Sequence, residues 1–237
     1  MIHDPDLMEK FFKEVLVEPR EGEVYTLFLM TRRKWFPKLS SNYELFNYKV
    51  LAEFNFKRFY RAVLRLIPQE CAYVDVRTEE CIPVSAMALY VDVIPRDIKK
   101  GVVKTLQDFI NLLAFQDQEN VNRLKKFNRI FLSNLQKSPG RKPYFIIDVD
   151  SKDTQLINYV IKQLNNYSIP VEWISETKGG FHVIVKRDSE WMETFYKEVL
   201  PKLNHENVEV KLEKSILTPI PGTLQAGFPV KGGPYVI

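Results

Sequence analysis

Cysteine is nearly absent from this chain. Two residues of 237, Cys71 and Cys81, cannot make a disulfide-dense scaffold. Neither sits in a cluster with metal-ligand spacing, which argues against a structural zinc site and leads one to expect a reducing compartment. Long apolar runs are missing too: none approaches the roughly 18 residues needed to span a bilayer. The opening Met1-Ile-His-Asp-Pro-Asp6 has neither the basic nor the apolar region of a secretory signal. A soluble, cytoplasmic protein with no membrane partner is the expectation. There is no internal repeat and no low-complexity segment. Strong charge of either sign is also lacking; a net charge of +4 is compatible with a polyanionic partner without pointing to one. What the chain has in quantity is apolar residues, at 45%, enough to bury a substantial core as one domain or two packed modules.

The clearest pattern runs from Tyr144 to Glu213 and predicts strand, helix, strand, strand, helix, strand. Tyr144-Phe-Ile-Ile-Asp-Val-Asp150 is a strand ending in two carboxylates. Leu156, Ile157, Val160, Ile161 and Leu164 mark one face of a helix over 152–167. Val171–Ser175 and Phe181–Lys186 read as strands joined by Lys178-Gly179-Gly180 turn chemistry. Ser189 is a candidate N-cap for a helix carrying Trp191, Phe195, Val199 and Leu203, and Val208–Glu213 closes the series. This βαββαβ succession is the ferredoxin-like order also used by RNA-recognition modules. In a 4-1-3-2 sheet, alternation puts Phe145, Ile147, Val149, Phe181, Val183, Val185, Val208, Val210 and Leu212 under the helices. The opposite face then gathers Asp148, Asp150, His182, Lys186, Glu209, Lys211 and Glu213. Two acids at the end of a central strand repel each other unless a cation lies between them.

The first half is less explicit. Asp6–Leu16 reads as an amphipathic helix, and Val24–Trp35 as a strand running into Arg32-Arg33-Lys34. Phe56–Ile67 has helical spacing, Ala72–Arg77 and Ala86–Ile94 look extended, Asp97 is placed to cap a helix over Ile98–Phe115, and Glu119–Leu135 reads as one further helix. Ser138-Pro139-Gly140 breaks the chain, giving an N-terminal α/β module over 1–137 and the βαββαβ module over 138–237. The expected fold is therefore α/β (α+β), two packed modules with a cleft over the acidic face.

Three pieces of the second half, Asp148-Val-Asp150, Lys178-Gly-Gly-Phe-His182 and Glu209, together resemble the archaeo-eukaryotic primase superfamily. Its pattern is a DxD or DxE motif, a small-residue-x-His motif on a strand, and a hydrophobic-acidic motif. Pro219-Ile-Pro-Gly-Thr-Leu224 is similar to the arginine-leucine-proline-glycine-serine-leucine stretch after the third motif of primase small subunits. The resemblance covers residues 143–225. It implies a DNA primase or primase-polymerase, transferring nucleotides from NTP or dNTP onto a strand paired with a DNA template, with a helicase or primase accessory subunit as a possible partner. It also implies that His182 contacts the triphosphate and that Lys178 holds the place of a phosphate-binding lysine.

Such chemistry needs two hard divalent cations roughly 3.5–4 Å apart. Magnesium or manganese prefers carboxylate oxygens. Asp148 and Asp150 are the candidate pair, with Glu209, or Glu213 on the same face, as third acid. The small backbone of Gly179-Gly180 admits a phosphate closely. Gly180 stands where many members have serine, and Pro219 where primase small subunits have a phosphate-binding arginine, for which Lys211, Lys214 or Lys231 are candidate substitutes. The usual zinc-binding insertion is absent, leaving initiation, as opposed to extension, open. Arg32, Arg33, Lys34 and Arg96 are candidate nucleic-acid contacts; a solvated basic end, or an Arg96–Asp97 pair, is the alternative. Trp35 and Tyr90 read as core or edge residues rather than base platforms. Two other readings stay open: a non-catalytic or partner-dependent nucleic-acid-binding subunit, and a metal-dependent nuclease. Nicking enzymes with paired histidines are disfavoured, since His182 has no nearby histidine partner.

Overall fold

Helix α1 (Pro5–Glu14) starts where Asp4 accepts a 2.9 Å hydrogen bond from the Leu7 amide and Pro5 supplies a preset first turn. The computed structural model describes residues 1–114, 118–212 and 216–234. The helix turns Met8, Phe11 and Phe12 inward against β1 (Glu23–Arg32), β2 (Tyr43–Leu51) and α2 (Phe56–Leu64). The chain continues through β3 (Met87–Asp92), the short β4 (Arg96–Asp97), α3 (Ile98–Ala114), α4 (Gln118–Leu124) and α5 (Phe127–Gln136). β1 is buried on both faces along most of its length, which explains its nearly continuous apolar run. Its Tyr25, Leu27 and Leu29 pack on Phe59 and Val63 of α2, while Phe28 faces Tyr90 and Leu132.

The second half supplies β5 (Tyr144–Val149), α6 (Thr154–Asn165), β6 (Val171–Glu176), β7 (Phe181–Lys186), α7 (Ser189–Thr194) and β8 (Val208–Lys211). Past Thr194 the helix widens into a π turn over Phe195–Val199 and tightens into a 3-10 turn over Leu200–Leu203. Short strands β9 (Leu217–Pro219), β10 (Leu224–Gln225), β11 (Phe228–Pro229) and β12 (Lys231–Gly233) follow. Two five-stranded sheets result, β2-β1-β3-β9 with β4 also pairing β1, and β12-β6-β7-β5-β8; β10 and β11 form a separate two-stranded sheet, and every pairing is antiparallel. The mixed α/β architecture has seven α-helices among the described residues.

The central strands of the second sheet are buried on both faces, and this positions the site. Phe145, Ile147, Val149, Val183 and Val185 pack beneath α6 and the α7 segment, through Val160, Leu164, Trp191 and Phe195. On the other face Tyr144, Ile146, Trp173 and Ile184 join the core of the first sheet, where Phe11 meets Trp173 edge-on at 5.4 Å. Only at the end of β5 does that inter-sheet core give way, as Ile146 is followed on the same face by Asp148. The C-terminal strands cross back: β9 pairs with β3 of the first sheet, and β12 with β6 of the second.

Several expectations are corrected. β2 has no counterpart in the sequence reading. Ala72–Arg77 is loop with a single bridge at Val74, and Cys71 and Cys81 are joined in a disulfide, contrary to the expectation drawn from a reducing compartment. The helix expected over Glu119–Leu135 breaks at Lys125-Lys126. Asp188, not Ser189, caps α7, accepting from the Glu190 amide. Phe115 and Glu213, which end an expected helix and strand, lie outside the described residues, as does Lys214. Among the described residues no helix is long and apolar enough to cross a membrane.

Candidate active site

Strand register builds the site. Asp148 lies directly opposite His182 of β7 on one side and Glu209 of β8 on the other. Directly opposed Cα atoms in antiparallel pairs are about 4.5–5.5 Å apart, so the three side chains stand in one row. Asp150 lies just past the strand, its amide donating to the Asn207 carbonyl at 2.8 Å. Asp153 rather than Asp150 caps α6, so the Asp150 carboxylate is left facing the cleft, 3.9 Å from the Lys34 ammonium.

These groups line a cavity of about 450 Å³ between the two sheets. Arg32 and Lys34 come to it from the β1 end, and Phe28, Met30, Leu45 and Tyr90 give it an apolar wall. The acids meet cations of the chain itself. The Lys211 ammonium is ion-paired with Asp148 and lies 3.4 Å from Glu209. Burial works to raise the Asp148 carboxyl, but His182 and Lys211 outweigh it and hold it below the usual carboxylate range. Burial likewise works to lower Lys211, and is outweighed by Asp148 and Glu209, so the ammonium is held above its ordinary value.

His182 is hydrogen-bonded at one ring nitrogen and faces Asp148 with the other. Nε2 is 3.4 Å from Asp148 Oδ1, and Nδ1 is 2.7 Å from the Thr218 hydroxyl. Burial pushes its pKa below the usual histidine value against the pull of Asp148, favouring the neutral ring. A carboxylate only accepts, so the tautomer with its proton on Nε2 is the one that suits Asp148, and in it Nδ1 accepts from the Thr218 hydroxyl. Thr218 arrives on β9 from the other sheet, and nothing in its local sequence announces the contact.

Other candidates lie elsewhere. Arg96 is corrected from a nucleic-acid contact to a core residue: it is 1% exposed, Nε donates to Asp92 at 2.8 Å, and Nη1 to the Gln136 carbonyl at 2.9 Å. Asp97 instead caps α3 through the Lys100 amide. Arg33 turns away from the cleft and holds the β1–β2 connection, donating to the Leu39 and Ser40 carbonyls at 3.0 and 2.6 Å. Lys178 does not line the cavity. Its amide donates to Gln225 and its ammonium to the Ala226 carbonyl, both at 2.6 Å, and Gln225 in turn donates to the Tyr90 hydroxyl at 3.1 Å. Gly180 is also off the cavity, pressed against the β5 backbone, whereas Gly179 lines it. The Pro219–Leu224 stretch packs on the start of α1, where the Gly222 carbonyl accepts from the His3 and Asp4 amides. Lys231 is not at the cavity either; of the three substitute lysines only Lys211 reaches it among the described residues.

The carboxylates of Asp148, Asp150 and Glu209 share one cavity, and the Lys211 ammonium stands between two of them. In the rotamers present, Asp148, Asp150 and Glu209 do not bring three oxygens within 4.8 Å of one another. The one group among the described residues that meets this spacing is Glu70 with Cys71 and Cys81, whose sulfurs are spent on the disulfide.

Comparison with protein-family models, with curated proteins and with solved structures found no match to this chain.

Proposed function

We propose that the chain is the catalytic core of a primase-polymerase-like nucleotidyltransferase, which adds NTP or dNTP to a strand growing on a DNA template and releases pyrophosphate. The observation that carries this reading is the row Glu209, Asp148, His182 across three neighbouring strands, with Asp150 just beyond, opening on a cleft whose far wall brings Arg32 and Lys34. The β8-β5-β7-β6 order supports reading 138–237 as a ferredoxin-like module beside an N-terminal α/β module over 1–137.

Asp148, Asp150 and Glu209 would hold two Mg²⁺ or Mn²⁺ ions, which supply activation of the attacking hydroxyl and offset charge on the transferred phosphate. The chain's own side chains do the rest. Lys211 neutralises Asp148 and Glu209 until a phosphate gives it a further anionic partner, and Lys34 and Arg32 extend positive charge toward the strand. His182, held neutral and oriented by Thr218, presents a fixed edge to the triphosphate.

Incorporation of labelled nucleotides on primed and unprimed templates, with Mg²⁺ or Mn²⁺, tests the proposal. Asp148→Ala with Asp150→Ala should abolish incorporation and leave the circular dichroism spectrum unchanged; undiminished incorporation overturns the metal assignment. A partner-dependent or non-catalytic nucleic-acid-binding subunit is the second reading, favoured by one observation: Asp148 is already tied to Lys211. Incorporation that appears only with an added helicase or accessory subunit would select it.

A further inference from the structure

The active cleft does not end at the acids. It shares Tyr43, Leu45 and Gln136 with a second trough of about 730 Å³ that runs between the edge strand β2 and helix α5. From Tyr43 to Tyr48 the strand advances about 17 Å, more than a single nucleotide needs. The walls hold neutral hydrogen-bonding groups, Asn42, Asn47, Asn128 and Ser133, with Arg129 and Glu44 the one cation and one acid. At the mouth, Tyr43 is 62% exposed and sits opposite Arg32 of β1. A large aromatic ring so exposed where two cavities join buries little surface and offers a flat face. Beyond the trough, Arg129 and Ser133 are shared with a third hollow that adds Arg123, Lys126 and Lys137 against the single acid Asp108.

Aromatic face, amides, then clustered cations is the chemistry of a single nucleic-acid strand: bases stack and accept amide hydrogen bonds while phosphates meet the basic end. We infer that the β2–α5 trough carries the single-stranded template away from the catalytic cleft, with Tyr43 stacking on the first unpaired base and Arg129 contacting a phosphate. This deepens the nucleotidyltransferase reading and rests on it for the word template. Glu44, 3.7 Å from Arg129, tempers the affinity by competing for that guanidinium.

The test is fluorescence anisotropy with labelled oligothymidylate and its uridylate counterpart, without nucleotide or divalent cation, across a salt series. Tyr43→Ala should weaken binding roughly 5- to 150-fold, the range for loss of one stacked base, while Tyr43→Phe keeps it. Arg129→Gln should reduce the slope of log K against log salt by about 0.7, one phosphate contact. Glu44→Gln should tighten binding. Affinity indifferent to Tyr43 and Arg129 in a protein that still extends primers overturns the trough alone; an extended peptide pairing with the β2 edge would give that result. The Asp148→Ala/Asp150→Ala protein, which has lost two negative charges from the adjoining cleft, should still bind the strand, at least as tightly as the unmodified chain. Binding intact in a chain that never incorporates nucleotide leaves the trough standing and overturns the catalytic reading instead.

Discussion

A Cβ built on Gly180 would lie 1.8 Å from the carbonyl oxygen of Val149 and 2.7 Å from the amide nitrogen of Ser151. The turn before β7 is thus packed backbone against backbone on the end of β5, between the strands that carry Asp148 and His182. A side chain there cannot be accommodated by rotating a neighbour, because the obstructing atoms are main chain. Gly180→Ala and Gly180→Ser should each cost about 3 kcal/mol, lowering Tm by roughly 6–12 °C, and should misalign the two site strands. Gly179→Ala is the control, since its nearest atoms, at 3.4 and 3.5 Å, are the movable ends of Lys34 and Asp150. Calorimetry on the three variants decides; a Gly180→Ser protein as stable as the original would refute the steric account and reopen the phosphate role.

Arg96 and Asp92 are almost wholly removed from solvent, and Asp92 also accepts from the Ile94 and Ile216 amides at 3.2 Å each. The pair ties β3 to the chain entering β9, and through the Gln136 carbonyl to the end of α5. Arg96→Ala leaves a buried carboxylate without its guanidinium and should cost about 3–5 kcal/mol. Urea titration measures it. Unchanged stability together with weaker DNA binding would restore Arg96 as a nucleic-acid contact.

Burial, with Glu172 adding to it and Arg141 opposing, pushes the Tyr144 phenol up to about 12. In the unfolded chain it ionises near 10. Between those values the unfolded state has lost a proton that the folded state keeps, so the contribution is complete below pH 10 and is lost as pH rises toward 12. The urea midpoint should therefore fall across that window, and less steeply in Tyr144→Phe. Identical slopes would show that Tyr144 ionises freely in the folded chain.

The second half was legible because two periods contrast within it. Phe145, Ile147 and Val149 share one phase of a strand whose other phase ends in Asp148 and Asp150, while Ile157, Val160, Ile161 and Leu164 repeat at helical spacing, and that other phase of three strands holds Asp148, His182 and Glu209. The first half hid β2 because a register shift at Leu29/Met30 interrupts its pairing and most of its residues are only half-buried at the sheet edge. Arg96, Lys178 and His182 find their partners through tertiary placement. Asp92 and Arg96 are four residues apart across a bend between two strands rather than on a helix, and Gln225, Ala226 and Thr218 come from the segment that returns after the βαββαβ series. The Cys71–Cys81 bond was invisible to a count, which says how many thiols exist and not how the loop between them folds.

Lys211 gives the sharpest test of the proposed cation site. Its ammonium touches Asp148 and lies 3.4 Å from Glu209, on the carboxylates that a divalent ion would need. An ion entering there must displace the ammonium, so part of its affinity is spent on breaking that pair. Lys211→Gln removes the competitor and leaves two acids facing each other across adjacent strands, a repulsion that a cation relieves. The variant should bind Mn²⁺ more tightly than the unmodified chain, read directly by electron paramagnetic resonance of free Mn²⁺. It should bind nucleoside triphosphate more weakly, because the ammonium that would turn to phosphate is gone. Mn²⁺ affinity that falls or stays level would mean that Asp148 and Glu209 are simply lysine's partners and that the row is an ion-pair network rather than a metal site.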